Sequence, residues 1–117
     1  MRLSETRFPG GLPVDGYGPG FFRIKGELHQ GALALLPDRA LPWKGFADMS
    51  PFLRAAGAID LLLIGTGAEI APLPAPGRRA LEAAGIGVEI MATPPACRTY
   101  NVLLSEGRRL AAALIAL

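Results

Sequence analysis

Two short apolar runs with a helical segment between them dominate the hydrophobic pattern of this chain. The runs occupy residues 61–64 and 86–91, and residues 78–84 between them carry apolar side chains at helical spacing. This order predicts a strand, a crossover helix and a second, parallel strand. Turns follow each run, at Gly65-Thr66-Gly67 and at residues 92–95. Both turns are therefore expected at the carboxyl ends of neighbouring parallel strands, where open α/β sheets bind ligands.

The flanking segments predict further strands and helices. Two apolar runs around the Lys25-Gly26 turn, at residues 21–24 and 28–36, predict a hairpin, and a short edge strand follows at Pro42. Ser50 as N-cap before Pro51 predicts a short helix. Thr93 as N-cap before Pro94 predicts another helix, which ends at Gly107. Residues 108–117 then close the chain and are expected to form a third strand of the sheet rather than another helix.

These elements predict an α/β (α+β) fold for residues 1–117. We expect a single compact domain that has a mixed β-sheet, an N-terminal β-meander, a βαβ core and about three helices. The length suits one domain, and 50% hydrophobic residues are enough for one packed core. Residues 1–19 are rich in glycine and proline and predict an extended arm, whereas residues 20–117 form the compact body.

Charge and cysteine content exclude several classes of function. The net charge is +2, and no basic run interleaved with aromatic residues is present, which argues against nucleic-acid binding. Cys97 and His29 are the only residues of their types, so a cysteine-rich zinc site and an internal disulfide are excluded. We name no metal ligand, no cofactor and no catalytic residue, and we leave open whether the chain is an enzyme.

The termini bear on localisation. The first residues lack the apolar centre of a signal peptide, and the apolar run 110–117 is far shorter than the roughly 20 residues of a transmembrane helix. The sequence therefore predicts a soluble, cytoplasmic protein without a transmembrane segment. Peripheral membrane association and the oligomeric state are left open.

The turn Gly65-Thr66-Gly67 resembles the start of a dinucleotide-binding fingerprint, but the full pattern is absent. A helix does not follow directly, and Ile70 stands where the third glycine is required. One interpretation is a turn that needs positive φ at glycine. The other is a loop that faces an anion or another ligand.

The helix start at Thr93 provides a second group of candidate residues. Cys97 is expected in the first turn, where the helix dipole lowers a thiol pKa. The cationic Arg98 is unfavourable there without an anion, which Glu69, Glu89 or a ligand would supply. The alternative is a buried cysteine and an internal ion pair.

Two further residues complete the candidate surface. Asn101 shares the helix face of Cys97. Trp43 either lines a pocket or fills the core. The candidate ligand or partner surface is Gly65, Thr66, Gly67, Thr93, Cys97, Arg98, Asn101 and Trp43.

An ordered set of short segments also resembles a known family. The segments are Phe22-Arg23-Ile24, Trp43, Asp48, residues 62–67, 85–89, Met91, Thr93, 96–101 and 106–109. Together they resemble the family of the mitochondrial respiratory complex I assembly factor 3 and its small bacterial and archaeal relatives, a domain of unknown function. The resemblance implies a compact α/β fold and a non-catalytic assembly role beside a partner protein. It supplies no catalytic residues.

Two functions follow as hypotheses. The first is a non-enzymatic accessory protein that binds an unidentified protein partner in the assembly of a respiratory or membrane complex. The alternative is a small-molecule or anion-binding protein, or an enzyme, that uses a cleft between Gly65-Thr66-Gly67 and the helix start at Thr93 to Arg98. A cleft that contains Arg98 would favour the second hypothesis. An exposed apolar patch near the arm or Trp43 would favour the first.

Overall fold

The computed structural model describes residues 11–117 of the chain. Within them the chain forms two β-sheets and three helices. In chain order the elements are β1 (Val14–Gly18), β2 (Phe21–Ile24), β3 (Glu27–Gln30), β4 (Leu33–Leu35), β5 (Ala40–Pro42), α1 (Ser50–Arg54), β6 (Leu61–Gly65), α2 (Ala75–Ala83), β7 (Gly87–Met91), α3 (Thr93–Ser105) and β8 (Leu110–Leu114). The predicted α+β class is confirmed.

The main sheet has five strands in the order β5-β4-β8-β6-β7. β6 pairs in parallel with β7, as predicted from the two apolar runs. The C-terminal run forms the expected third strand, β8, and it also pairs in parallel with β6, which was not predicted. β4 pairs antiparallel with β5 and β8, which makes the sheet mixed. Every residue of β8 is buried, so its Leu-Ala-Ala-Ala-Leu sequence is the continuous apolar run typical of a central strand.

Each face of the main sheet contributes to its own apolar core. Alternate strand residues point to opposite faces, so Leu61 and Leu63 belong to one core and Leu62 and Ile64 to the other. The first core is closed by α3 and by the small sheet β1-β2-β3. The second is closed by α1, α2 and the segment around Trp43. The main sheet is therefore the middle layer of the domain.

The N-terminal part differs in detail from the predicted meander. β1 lies inside the predicted arm 1–19 and pairs with β2, while residues 1–10 of that arm lie outside the described residues. The hairpin turn at Lys25-Gly26 is present, with φ of 51° and 79°. The predicted run 28–36 is broken at Gly31, where φ is 82°, and its second half leaves the meander as β4. The predicted division of the chain into an arm at residues 1–19 and a compact body at residues 20–117 stays a prediction.

Helix ends follow the sequence signals only in part. Gly85 and Gly107, each with φ of 82°, end α2 and α3 as predicted. The predicted N-cap roles of Ser50 and Thr93 are wrong, because neither helix has a side-chain cap. Ser50 instead donates to the Asp48 carboxylate from its N–H (3.1 Å) and its hydroxyl (2.6 Å). Both bonds lower the pKa of the Asp48 carboxyl group, and the bond from the Ser50 hydroxyl has the larger effect.

Candidate functional site

The glycine turn after β6 and the start of α3 are joined by hydrogen bonds. The Thr93 N–H donates to the Gly67 carbonyl over 2.7 Å, and the Gly67 N–H donates to Thr93 Oγ1 over 2.8 Å. The Thr93 hydroxyl in turn donates to the Ile115 carbonyl over 2.7 Å. Thr93 is 0% exposed. This threonine therefore connects the carboxyl ends of β6 and β8 to α3.

The close approach of the turn to Thr93 explains both glycines. A Cβ on Gly65 would lie 2.9 Å from Thr93 Oγ1 and 3.0 Å from Thr93 Cα, so no side chain fits there. Gly67 has φ of 102°, which favours glycine. The Thr66 hydroxyl donates to the Glu69 carbonyl over 2.7 Å and accepts the Ala71 N–H over 3.0 Å. The geometry fits a turn whose polar groups bond within the chain.

Cys97 and Arg98 are neighbours with opposite environments. Cys97 is 3% exposed, and its burial raises the thiol pKa to about 11, although the charge of Arg98 opposes the shift. Arg98 is exposed, and within residues 11–117 it forms no ion pair with Glu69 or Glu89. The anion that Arg98 was expected to need is therefore not an internal carboxylate of the described chain.

The next turn of α3 holds the N-terminal strand. Asn101 accepts the Val14 N–H through Oδ1 and donates to the Val14 carbonyl through Nδ2, both at 2.8 Å. The Tyr100 hydroxyl donates to the Leu12 carbonyl over 3.0 Å. Asn101, Cys97 and Arg98 also line a small concavity of about 190 Å³ beside β1. The predicted surface is thus divided, because the glycine turn does not line this concavity.

Trp43 lies in the core on the opposite face of the main sheet. It is 6% exposed, and its Nε1–H donates to the Asp48 carbonyl over 2.7 Å. Phe46 and Phe52 contact its ring edge-on, each with centroids 5.8 Å apart. This packing matches the core interpretation of Trp43, and the ligand role of all the predicted surface residues stays a prediction.

A larger concavity, which the sequence did not reveal, lies next to Phe46, whose ring contacts Trp43. We call it the α1–α2 groove; its volume is about 710 Å³. Its walls are Phe46, Ala47, Met49 and Leu53 on one side and Pro74, Pro76, Gly77 and Ala80 on the other. All of these side chains are apolar. The only sequence signal for this groove is that Phe46 and Met49 are apolar residues outside the predicted strands, and the sequence does not show which way such residues face.

The described residues contain neither a metal-binding cluster nor a membrane-spanning helix. Residues 11–117 contain no group of three or more histidine, cysteine, aspartate or glutamate residues arranged to hold a metal ion. None of the three helices α1–α3, the helices of the described part, has the length and apolar character needed to cross a bilayer.

Comparison with known proteins identifies the family. Residues 14–115 match the family model described as Protein of unknown function (DUF498/DUF598). This chain belongs to that family. This match, together with a relative that is named as an assembly factor 3, confirms the resemblance inferred from the sequence.

Relatives of the family extend from bacteria to mammals. An uncharacterised protein of Rhodobacter capsulatus is 53% identical over 98% of this chain and 93% of its own length. NADH dehydrogenase (ubiquinone) 1 alpha subcomplex assembly factor 3 of Rattus norvegicus is 34% identical over 98% of this chain and 66% of its own length. The chain thus spans about two thirds of the rat protein.

A solved structure shows the same fold in a similar bacterial protein. A crystal structure described as an outer membrane protein from Bartonella henselae superposes with a TM-score of 0.84 and 39% sequence identity. The match covers 94% of this chain and 98% of that chain.

The buried thiol leads to a prediction about Cys97 reactivity. We expect native Cys97 to be alkylated at pH 8 at least about a hundredfold more slowly than in the unfolded chain, because burial hides the sulfur and disfavours its thiolate. Arg98→Ala should not accelerate the reaction, since the lost cation favoured the thiolate. Iodoacetamide labelling followed by mass spectrometry measures both rates. The same labelling repeated across a pH series gives the pH at which the rate is half-maximal. A midpoint below the reference cysteine pKa of about 8.5 in the native protein, lost in Arg98→Ala, would contradict burial of the thiol.

Proposed function

We propose that this chain is a protein-binding accessory protein in the assembly of a respiratory or membrane complex. The apolar α1–α2 groove is the observation that carries the proposal, and we assign it as the surface where the partner docks. The name of the rat relative, an assembly factor for NADH dehydrogenase, supports the assembly role. The proposal places the chain in the cytoplasm, where contact with the complex brings it beside a membrane.

The lining of the groove suits a protein side chain better than a charged ligand. Phe46, Met49 and Leu53 offer one apolar wall, and the flexible thioether of methionine adapts to varied apolar shapes. Pro74 and Pro76 stiffen the opposite wall, so little backbone freedom is lost when a partner binds. Aromatic or aliphatic anchors in such pockets dominate the affinity of protein interfaces. Apolar anchors on the partner are therefore expected to fill the groove.

Replacing Ala80 with arginine tests the groove. The larger, charged side chain projects from the α2 wall into the apolar space, and arginine keeps a high helix propensity. We expect Ala80→Arg to lower the affinity for the partner at least about tenfold, which corresponds to the loss of one strong interface contact. Val102→Arg is the matched control, because Val102 is 55% exposed on α3, outside the groove.

The partner itself can be identified by site-specific photo-crosslinking. A photoreactive amino acid at Ala80 is expected to crosslink a subunit or assembly protein of a respiratory or membrane complex in the host cell, and the same label at Val102 is not. Mass spectrometry identifies the product. Equal products at both positions, products that belong to no such complex, or unchanged affinity in Ala80→Arg would overturn the proposal.

A further inference from the structure

β7 is an open edge of the main sheet. It ends the strand order, so within residues 11–117 β6 is its only neighbouring strand. The Gly87 N–H donates to the Asp60 carbonyl over 2.8 Å, and the Met91 carbonyl accepts the Thr66 N–H over 2.9 Å. Since alternate residues of a parallel strand bond to the same neighbour, Gly87, Glu89 and Met91 bond to β6. The backbone N–H and C=O groups of Val88 and Ile90 therefore face outward, away from the sheet.

The opposite edge of the same sheet is short and ends in proline, whereas β7 is longer and contains no proline. β5 spans only Ala40–Pro42, and Pro42 has no N–H to offer a further strand. β7 has five residues, with neither proline nor lysine among them. Proteins commonly shield an exposed edge with such residues because unpaired backbone groups bind other strands. Within the part of the chain that the structure describes, the outward groups of β7 have no strand beside them and can pair with an added strand.

An apolar surface adjoins this edge. Ile70 is 67% exposed and, with Ala71, Pro72 and Ile90, lines a shallow concavity of about 270 Å³. Val88 and Ile90 point to one face of the sheet because side chains alternate along a strand. A strand beside β7 would place every second side chain on that same face, next to the Ile70 surface. Apolar residues at alternate positions of a partner segment would be buried there.

Glu89 gives this edge a negative charge. It is exposed on the other face of β7, and it forms no ion pair in the described part of the chain. A lysine or arginine opposite it in an added strand is stabilising. Antiparallel pairing of two copies through the outward groups of Val88 and Ile90 would instead set one Glu89 opposite the other, and like charges directly opposite are destabilising. The edge therefore favours a basic partner strand over a second copy.

We propose that β7 is a docking edge for an extended segment of a partner protein in which apolar residues alternate with lysine or arginine. The segment adds a strand to the main sheet, its apolar side chains contact Ile70 and Ile90, and its basic side chains face Glu89. Main-chain hydrogen bonds supply affinity in this mode of recognition, and alternate side chains supply specificity. The site is separate from the α1–α2 groove and rests on different residues.

Amide hydrogen exchange with a defined peptide tests the proposal. The probe is a capped hexapeptide of alternating valine and lysine, and the control replaces each lysine with glutamate. In the free protein we expect the Val88 and Ile90 amides to exchange fast and those of Glu89 and Met91 to be protected by β6. The lysine peptide should slow exchange at Val88 and Ile90 at least about tenfold at saturation, because each outward N–H gains an acceptor.

Charge reversal at one exposed residue provides the matched variant. Glu89→Lys should weaken binding of the lysine peptide and strengthen binding of the glutamate peptide, each by about fivefold, the upper value for one cross-strand pair. Unchanged exchange at Val88 and Ile90, equal affinity of both peptides for the native chain, or protection that rises with protein concentration alone would each overturn the proposal. The last of these outcomes would identify a second copy as the occupant.

Discussion

Replacing Tyr100 with alanine is expected to lower the free energy of unfolding by about 3–5 kcal/mol, the range for removing a large aromatic side chain from a packed core. Tyr100 is 0% exposed and lies in the core between α3 and the main sheet. Its hydroxyl also donates to the Leu12 carbonyl over 3.0 Å. Since small domains have total stabilities of about 5–15 kcal/mol, this variant should be close to unfolding at 37 °C. Urea unfolding followed by the fluorescence of buried Trp43 measures the change.

Tyr100→Phe separates the two contributions of this residue. Phenylalanine keeps the ring and loses only the bond to the Leu12 carbonyl, so a cost of about 1 kcal/mol is expected. It also keeps the variant folded if the alanine variant is not. A phenylalanine cost as large as the alanine cost would show that the hydroxyl bond, and not the packing, holds β1 and Leu12 against α3.

The parallel core could be predicted because its signals are local. β6 and β8 are continuous apolar runs, which is what burial on both faces of a sheet requires. Gly85 and Gly107 follow the last helical turns, where a left-handed residue ends a helix. Each of these features depends on residues only a few positions apart. A single sequence is sufficient to recognise them.

Pairings between distant segments could not be predicted in this way. The Asn101 side chain bonds to Val14 across 87 positions, and β4 leaves the meander to pair with β8, where Leu33 lies opposite Leu114. Periodicity indicates which face of an element is buried, but it does not indicate which element covers that face. The α1–α2 groove was missed for the same reason, since its walls come from residues 46–53 and 74–80.

The candidate site shows a further limit of motif reasoning. A threonine before a proline is typical of a helix N-cap, and a glycine turn after a parallel strand is typical of a ligand loop. Here the Thr93 hydroxyl bonds to the Ile115 carbonyl instead of a helix N–H. It also accepts the Gly67 N–H, so the two motifs satisfy each other's polar groups. Short motifs predicted the location of these groups but not their partners.

Replacing Thr93 with valine is expected to destabilise the chain by about 2–4 kcal/mol. Valine has nearly the same shape, so packing is kept while the hydroxyl is lost. The buried Gly67 N–H would then lose its partner, and an unpaired buried group costs about 1–3 kcal/mol. The Ile115 carbonyl would lose its partner too, and because that bond is only partly buried its loss adds about 1 kcal/mol. Urea unfolding measures the loss of stability. If the slope of the unfolding free energy against urea concentration is unchanged, the substitution has not altered the unfolded state.

Thr93→Ser is the matched control, because it keeps the hydroxyl and removes one methyl group. Its expected cost is about 1 kcal/mol. Equal costs for valine and serine would show that the hydroxyl bonds contribute little and that Thr93 acts by packing alone. Because Thr93 lies in α3 and the groove lies between α1 and α2, folded Thr93→Ser protein should bind the partner with native affinity. A loss of partner binding without a loss of stability would instead place the docking surface at the Gly65-Thr66-Gly67 turn and the start of α3.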